Sequence, residues 1–423
     1  MNIQTVRPKT PAESALIDMF GERLGVLAGT PEVLAARDNA LEELKTNGLP
    51  SRRIESWHYT DLRTLFKSTA PFVSSSDAKT RPVLVAGSSQ FAVINGVAQA
   101  AKQVSNVTVT AVRDLLQDGS VVETMQTKGF DDAVGQINAA YVTDGWALTL
   151  ADDTELEAPL ELQNVQLGGQ SHVRFPAKFG KNTKATIIER QIGGTAETLS
   201  SSVSHVTVDD GADIIWVIVR EFDEESTQLS QFNATIGANA KLTLYVVNAG
   251  GHLVRQEIHV DVLGEDSDFE MRTLNLLSDK SHTDVTMTAG HLVENTRSVQ
   301  IVRNVVTGEA RGVFQGMIKV AQIAQKTDAR MACNTLLLSD GAEFDAKPEL
   351  EIFADDVACG HGATVTEIHN DHLFYLMARG IPEAAARGLL VKAFIAEIIE
   401  ELENEPLVEA LEAILSDWLV AHA

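Results

Sequence analysis

The sequence predicts a mainly β protein: a parallel β-helix core flanked by N- and C-terminal α-helical regions. Three observations carry this. Apolar residues recur at helical spacing near both ends, but at a spacing of two from about 170 to 365. That long stretch reads as short strands without intervening helices, which excludes a βαβ fold there. Glycine-containing turns at Gly180, Gly211, Gly237, Gly264, Gly290, Gly308 and Gly341 punctuate it at intervals of 31, 26, 27, 26, 18 and 33 residues, a loose recurrence of solenoid size. A sandwich or barrel also fits short strands. Stacked rungs account better for the recurring small-residue turns, such as Gly211-Ala212-Asp213-Ile214.

The elements follow in order. Residues 1–70 form an N-terminal helical region. Pro11-Ala12-Glu13-Ser14 starts one helix, with Leu16, Met19, Phe20 and Leu24 at helical spacing. Thr30-Pro31-Glu32 starts a second, with Thr30 as N-cap and Pro31 at the first position. Leu34, Ala35, Leu41 and Leu44 supply its buried stripe, and Gly48-Leu49-Pro50 stops it. In Glu55-Ser56-Trp57-His58-Tyr59-Thr60, Trp57 and Tyr59 read as structural anchors, and His58 as a hydrogen-bonded residue rather than a ligand.

Residues 71–165 are a mixed α/β lead-in. Val83–Ala86 and Phe91–Ile94 look like strands, with a turn at Asn95-Gly96. Val109–Leu116 and Met125–Ala140 lean helical. Residues 166–368 are the β-helix core, where Asn233, Asn248, Asn275 and Asn304 suit stacked side-chain ladders. Residues 369–423 are a C-terminal helical region. Ile381-Pro382-Glu383 starts one helix, whose apolar side is Leu389, Leu390, Ala393, Phe394 and Ile398. After Glu405-Pro406 the last helix carries Val408, Leu411, Ile414, Leu415 and Trp418. Two helices cannot bury both their faces, so they should dock on the solenoid end or on a partner.

Composition narrows the function. The chain has 423 residues and a net charge of −25. Nucleic acid and anionic membranes, which need a basic footprint, are poor partners. Residues 381–423 carry two basic and nine acidic side chains, an acidic tail suited to a basic partner surface. Two cysteines cannot build a disulfide framework or a four-thiolate site, and they fit a reducing, cytoplasmic home. No apolar run is long enough to span a membrane, and Met1-Asn2-Ile3-Gln4-Thr5 lacks a signal-peptide pattern.

The densest chemistry lies in the stretch from Lys347 to Thr364, which ends in Ala358-Cys359-Gly360-His361-Gly362-Ala363-Thr364. In an extended strand Cys359 and His361 project to one face. Thiolate and imidazole are donors suited to iron, zinc or copper. Two ligands leave a site incomplete, so a metal here needs donors from a second subunit. The pair as a cysteine nucleophile and its base lacks an identifiable orienting group or oxyanion donor. Asp355-Asp356 cannot share a strand face, and Asp209-Asp210 before Gly211 reads as a turn. Gln315, Lys319, Gln322, Gln325, Lys326 and Asp328 read as strand and turn surface. No phosphate loop, strand-linked G-x-G-x-x-G, C-x-x-C or H-E-x-x-H is present.

Several of these runs carry a resemblance. Gly312-Val313-Phe314-Gln315-Gly316-Met317-Ile318, Ala324-Gln325-Lys326-Thr327-Asp328-Ala329, Leu336-Leu337-Leu338-Ser339-Asp340 and Lys347-Pro348-Glu349-Leu350-Glu351-Ile352 resemble the SufB/SufD family. So do Cys359-Gly360-His361-Gly362-Ala363-Thr364 and Leu373-Phe374-Tyr375-Leu376-Met377-Ala378-Arg379-Gly380-Ile381. The resemblance is dense from about 240 to 400. Glu55–Thr60, the short length and the scarcity of thiols suit the thiol-poor branch. The family commonly has serine at Gly360 and glycine at Thr366, and neither departure removes a donor.

The resemblance implies a right-handed β-helix and a non-enzymatic scaffold role in iron–sulfur cluster assembly. It implies pairing with SufB through the core, and docking of the SufC ATPase on the C-terminal helices. It implies that His361, with Cys359 beside it, contributes to a transient iron or iron–sulfur cluster shared with SufB. A flavin in the complex and a homodimer of the isolated chain are left open. The rival readings are a β-helix carbohydrate enzyme, lyase or esterase, and a purely structural bridge with His361 inert.

Overall fold

The computed structural model describes residues 8–72, 78–194, 196–402 and 404–422; the N-terminal Met1–Thr5 lies outside them. Strands alternate between two sheets. Among the described residues ten strands, from Ser89–Ile94 to Ala358–Glu367, form one wall; nine, from Val107–Ala111 to Glu343–Ile352, form the other. Within each wall nearly every pairing is parallel. On the ten-stranded wall the register runs Lys184, Asp213, Lys241, Asp268, Arg297, Asp328, Ala358, steps of 27 to 31 residues. This is a parallel β-solenoid, as the period-two stretch predicts.

The turn recurrence is more regular than the glycines alone suggest. One corner places Asp153, Asn182, Gly211, Asn239, Asp266, Asn295 and Lys326 in the left-handed region, with φ between 53° and 72°. Asparagine and aspartate tolerate that conformation better than most residues, so they replace glycine at the corner. The corners stack: Asn182 N donates to Asp210 O at 3.0 Å, and Gly211 N to Ala238 O at 2.8 Å. Gly264 serves a different need, since a Cβ there would lie 1.9 Å from Ala238 N. Gly290 is not a turn; it sits inside the strand His282–His291.

Inside, Leu242, Leu244 and Val246 join Phe232, Ala234 and Ile236 of the facing wall in one continuous core. Asn248, Asn275 and Asn304 occupy one register position. Asn248 donates to Asn275 at 2.7 Å, Asn275 to Asn304 at 2.7 Å, and Asn304 to Thr335 at 3.0 Å. Arg220 donates to Asn248 at 2.7 Å from the turn before. Asn233 is not in this ladder. It belongs to the other wall and bonds to Lys128 and to the Ser204 carbonyl.

Helices cover both outer faces. Helices Pro11–Arg23, Pro31–Asn47 and Ala133–Tyr141 pack with Leu199, Leu229 and Leu253 of the nine-stranded wall. Thr10 and Glu13 form a capping box on the first, and Thr30 caps the second. The second helix buries Val33, Ala36, Arg37, Ala40, Leu41 and Leu44, while Leu34 and Ala35 face out. Its contact face includes Arg37, whose guanidinium donates to Ala140 O at 3.1 Å and Ala28 O at 3.1 Å.

Helices Glu383–Ile399 and Glu405–His422 lie on the ten-stranded wall, against Val217, Tyr245, Val247 and Leu274. They do not cap the solenoid end. Arg272 pairs with Glu401 at 2.6 Å, and Arg303 with Glu397 at 2.6 Å, fastening the helices to the sheet. The buried side of the first is Ala386, Val391, Ile395, Ile398 and Ile399; Leu389 and Ala393 are exposed. Packing on a flat outer wall selects this face, and the wall strands are accordingly apolar on both sides.

The lead-in differs from its sequence reading in three places. Val83–Ala86 is not a strand: the chain is held by side chains, with Arg81 N donating to Gln163 at 3.0 Å and Leu84 N to Glu161 at 2.6 Å. Val109–Ala111 completes a strand before the helix Val112–Asp118 begins. The Met125–Ala140 stretch divides into a short 3₁₀ turn at Val122–Met125 and the helix Ala133–Tyr141. Among the described residues, no helix is long and apolar enough to cross a membrane.

Candidate functional site

The two ends of the solenoid differ. At the start, antiparallel pairings of Ser89–Ile94 with Val97–Ala98, and of Val107–Ala111 with Asp144–Leu150, close the sheets. At the finish, among the described residues, Glu343–Ile352 pairs only with Arg311–Val320, and Ala358–Glu367 only with Asp328–Leu337. The last turn therefore presents two strands with unpaired outer edges, features that soluble proteins ordinarily cover.

Cys359 and His361 stand on that last strand. Their register partners are Ala329 and Met331. Both partners belong to the interior core, so the strand points Cys359 and His361 along the inner face of the solenoid. With no further turn above, His361 is exposed and Cys359 half-buried. Burial pushes the Cys359 thiol pKa up, opposed by a backbone hydrogen bond involving Ala329. Met331, Val357, Cys359 and His361 help line an open hollow of about 530 Å³.

Among the described residues, no three His, Cys, Asp or Glu side chains stand close enough to hold a metal ion. Cys359 and His361 thus offer two donors of these types at an open face. The other thiol, Cys333, is buried one turn below, and burial pushes it up to about 12. It is a poor nucleophile and metal ligand in this state.

The remaining sequence candidates are structural. Trp57 is buried; its indole N–H donates to Asp131 O at 2.9 Å, and the Arg255 guanidinium lies 4.2 Å from its ring centroid. Tyr59 is half-buried, and exposed His58 packs edge-on against it at 4.9 Å. Gln315 donates to Ser56 O at 3.2 Å, while Lys319 pairs with Glu351 at 3.0 Å. Lys326 pairs with Asp356 at the stacked corner, and Asp210 pairs with Lys181 at 3.0 Å. All are strand, turn or junction contacts.

Sequence reasoning gave Met331 no place near the pair, and marked Lys347 without its partner. Met331 lies 30 positions before His361, and only the rung register brings them together. Lys347, on the last strand of the nine-stranded wall, pairs with Glu55 of the N-terminal region and with Glu349 at 3.1 Å. A regular rung length would have exposed the first relationship; nothing local in sequence signals the second.

Fold and sequence together define a parallel β-solenoid protein with Cys359 and His361 side by side on its last strand. Its sequence matches the family described as SUF system FeS cluster assembly, SufBD core domain, over residues 163–394. The SufBD protein N-terminal region matches residues 10–75. The chain belongs to the SufBD family of iron–sulfur cluster assembly proteins. It is 27% identical over 410 residues to the iron-sulfur cluster assembly protein SufD of Escherichia coli (strain K12), covering 90% of this chain and 92% of the relative. An iron-sulfur cluster assembly SufBD family protein of Synechocystis sp. is 25% identical over 411 residues, 89% of each chain. Protein ABCI7, chloroplastic, of Arabidopsis thaliana is 25% identical over 402 residues, 88% of this chain and 83% of the relative.

Proposed function

We propose that this chain is the SufD-type, non-enzymatic scaffold subunit of a cytoplasmic iron–sulfur assembly complex. It pairs with SufB through the last turn of the solenoid, and Cys359 and His361 contribute donors to iron or a nascent cluster at that seam. The observation that carries this reading is the uncapped end. Two unpaired strand edges can accept strands from a partner, and the two donors stand beside them, short of a complete ligand set. A thiolate-bearing partner completes the set. Metal binding here requires a deprotonated Cys359 and a neutral imidazole.

SufC docks on the C-terminal helical region in this reading. Phe374, Tyr375, Met377 and Leu389 are exposed there, a cluster of large apolar side chains beside acidic ones. ATP-driven movement of that region then rearranges the seam, because the helices are tied to the same wall that carries Cys359. A flavin has no support in these residues and is not included. Co-expression with SufB and SufC, followed by size measurement and iron and sulfide analysis, tests the proposal. A co-purifying complex containing iron and sulfide is expected. A chain that stays alone and iron-free with both partners present overturns it.

A further inference from the structure

We infer that one corner of the solenoid is a docking strip for a basic amphipathic helix of a partner protein. The strip runs down the last four turns, apart from the Cys359 and His361 pair and from the C-terminal helices.

The corner follows the strands of the nine-stranded wall. Its first residue donates a backbone N–H to the end of the strand one turn before, as Leu292 does to Val262 O at 3.1 Å and Phe353 to Val320 O at 2.9 Å. This bonding stacks one position from turn to turn. Gly180, Asp209 and Gly237 hold it in the early turns, and Leu263, Leu292, Ala321 and Phe353 in the last four. Ala321 is too small to project, but its corner is longer: Ala321–Thr327 has seven residues where the neighbouring corners have five. The added length carries Ile323 outward. Ala324 N donates to Ala321 O at 2.9 Å and Gln325 N to Ile323 O at 2.8 Å, which hold the loop.

The result is one exposed large apolar side chain per turn. Leu263, Leu292, Ile323 and Phe353 are 49%, 39%, 70% and 66% exposed. Single exposed apolar side chains are ordinary on a protein surface, but a row of them on consecutive turns marks an interaction site.

Charge names the occupant. Glu265, Asp266, Glu294 and Asp355 are exposed on the same corner and have no ion-pair partner among the described residues. The lysines nearby are already taken: Lys319 pairs with Glu351 at 3.0 Å, and Lys326 with Asp356. The unpaired charge is therefore negative. A second copy of the chain would bring the same acids to the contact, and anionic lipid and nucleic acid are repelled. A basic protein surface is complementary.

Spacing selects a helix. Adjacent strands lie about 4.8 Å apart, so the row spans roughly 14 Å. Apolar side chains at i, i+3, i+7 and i+10 of an α-helix span about 15 Å along its axis. A helix laid along the corner meets one apolar side chain per turn of the solenoid, and lysines or arginines on its flanks face the acids.

The test is fluorescence anisotropy of the full chain with a labelled helical peptide of about 14 residues, with leucine at i, i+3, i+7 and i+10 and lysine on the flanks. Saturable binding that weakens with rising salt is expected. Ile323→Ser with Phe353→Ser changes only exposed side chains and should weaken binding by roughly tenfold or more. Glu265→Gln with Glu294→Gln should flatten the salt dependence. A peptide with glutamate for lysine should not bind, nor one with serine for leucine. No binding of the first peptide, equal binding of the serine peptide, or an unchanged affinity in the Ile323→Ser, Phe353→Ser variant overturns the inference. A dimer of the isolated chain that this variant dissociates would assign the strip to a second copy, and also overturns it. Co-purification with SufB and SufC should be unchanged in the variant; its loss would make the strip part of that assembly and overturn the separate site.

Discussion

The Arg255 guanidinium lies 4.2 Å from the centroid of the Trp57 ring. It is one fastening between the N-terminal region and the solenoid, beside the Lys347–Glu55 pair. Arg255 also pairs with Asp284 at 2.6 Å, with both side chains fully buried, and donates to Ser56 O at 2.8 Å. Thr60 bonds both Asp284 and, at 2.9 Å, His282. The compact run Glu55–Thr60 is therefore a plug set into the outer wall.

Removing that plug is costly. Trp57→Ala should destabilise the protein by about 3–5 kcal/mol, the usual loss for a buried aromatic. Trp57→Phe keeps most of the packing but leaves Asp131 O without the indole donor, and should cost about 1–3 kcal/mol. Denaturant unfolding followed by tryptophan fluorescence and circular dichroism checks both.

The asparagine ladder makes a second prediction. Asn275 accepts from Asn248 and donates to Asn304, and all three are buried. Asn275→Leu orphans a buried donor on one side and an acceptor on the other. At about 1–3 kcal/mol per orphaned group, the variant should lose several kcal/mol despite its greater hydrophobicity. An unfolding midpoint equal to wild type would contradict this.

How much was legible follows from what was local. Cys359 and His361 share a strand face because they are two residues apart, and that needed no tertiary knowledge. Thr30 and Pro31 announce their helix for the same reason. Asn248, Asn275 and Asn304 could be suspected but not aligned, since their spacings of 27 and 29 mean nothing until the corners fix the rung length. Asn233 looks identical in sequence and faces the other way. Corner positions held by Asn182, Asn239, Asp266, Asn295 and Lys326 hid the regularity that glycines alone blurred. The docking of the last helices on the wall instead of the end was illegible, because an amphipathic helix declares its apolar face but not what covers it.

Buried histidines contribute to the acid limb of stability. Burial lowers His172 to about 3, and His282 and His291 to about 4. Each is neutral in the fold and would be protonated below about 6.5 when unfolded. The unfolded state then binds more protons, so their contribution is fully present above pH 6.5 and is lost as pH falls toward 4. His291 is held by Thr296 at 2.8 Å and Ser298 at 2.9 Å. His291→Gln should be destabilised at pH 7 yet show a shallower loss between pH 6.5 and 4. Unfolding midpoints across that range measure the slope.

The site itself is tested in the complex. His361→Ala removes an exposed side chain from an open edge and should leave folding and co-purification with SufB and SufC intact. Iron and acid-labile sulfide per complex should fall sharply. Cys359→Ala should do likewise. If both variants carry as much iron and sulfide as wild type, the pair has no ligand role and the chain is only a bridge.

The acidic C-terminal region predicts salt-sensitive docking of SufC. Residues 381–423 carry a net charge of −7, but not all of it is free. Glu397 and Glu401 are held by Arg303 and Arg272 of the chain's own wall. Glu383 pairs with Arg387 at 3.2 Å. Glu400, Glu405, Glu409, Glu412 and Asp417 have no ion-pair partner among the described residues. Charges exposed at a docking surface speed association and are screened over about 8–10 Å at physiological salt. Raising ionic strength from 50 to 500 mM should therefore slow SufC association and weaken its binding. Glu409→Gln with Glu412→Gln should flatten that dependence without unfolding the helix, while Glu401→Gln should instead loosen it from the wall through Arg272. Association rates against salt distinguish the two: a salt-independent rate in the wild-type chain would show that the apolar side chains, not the charge, guide docking.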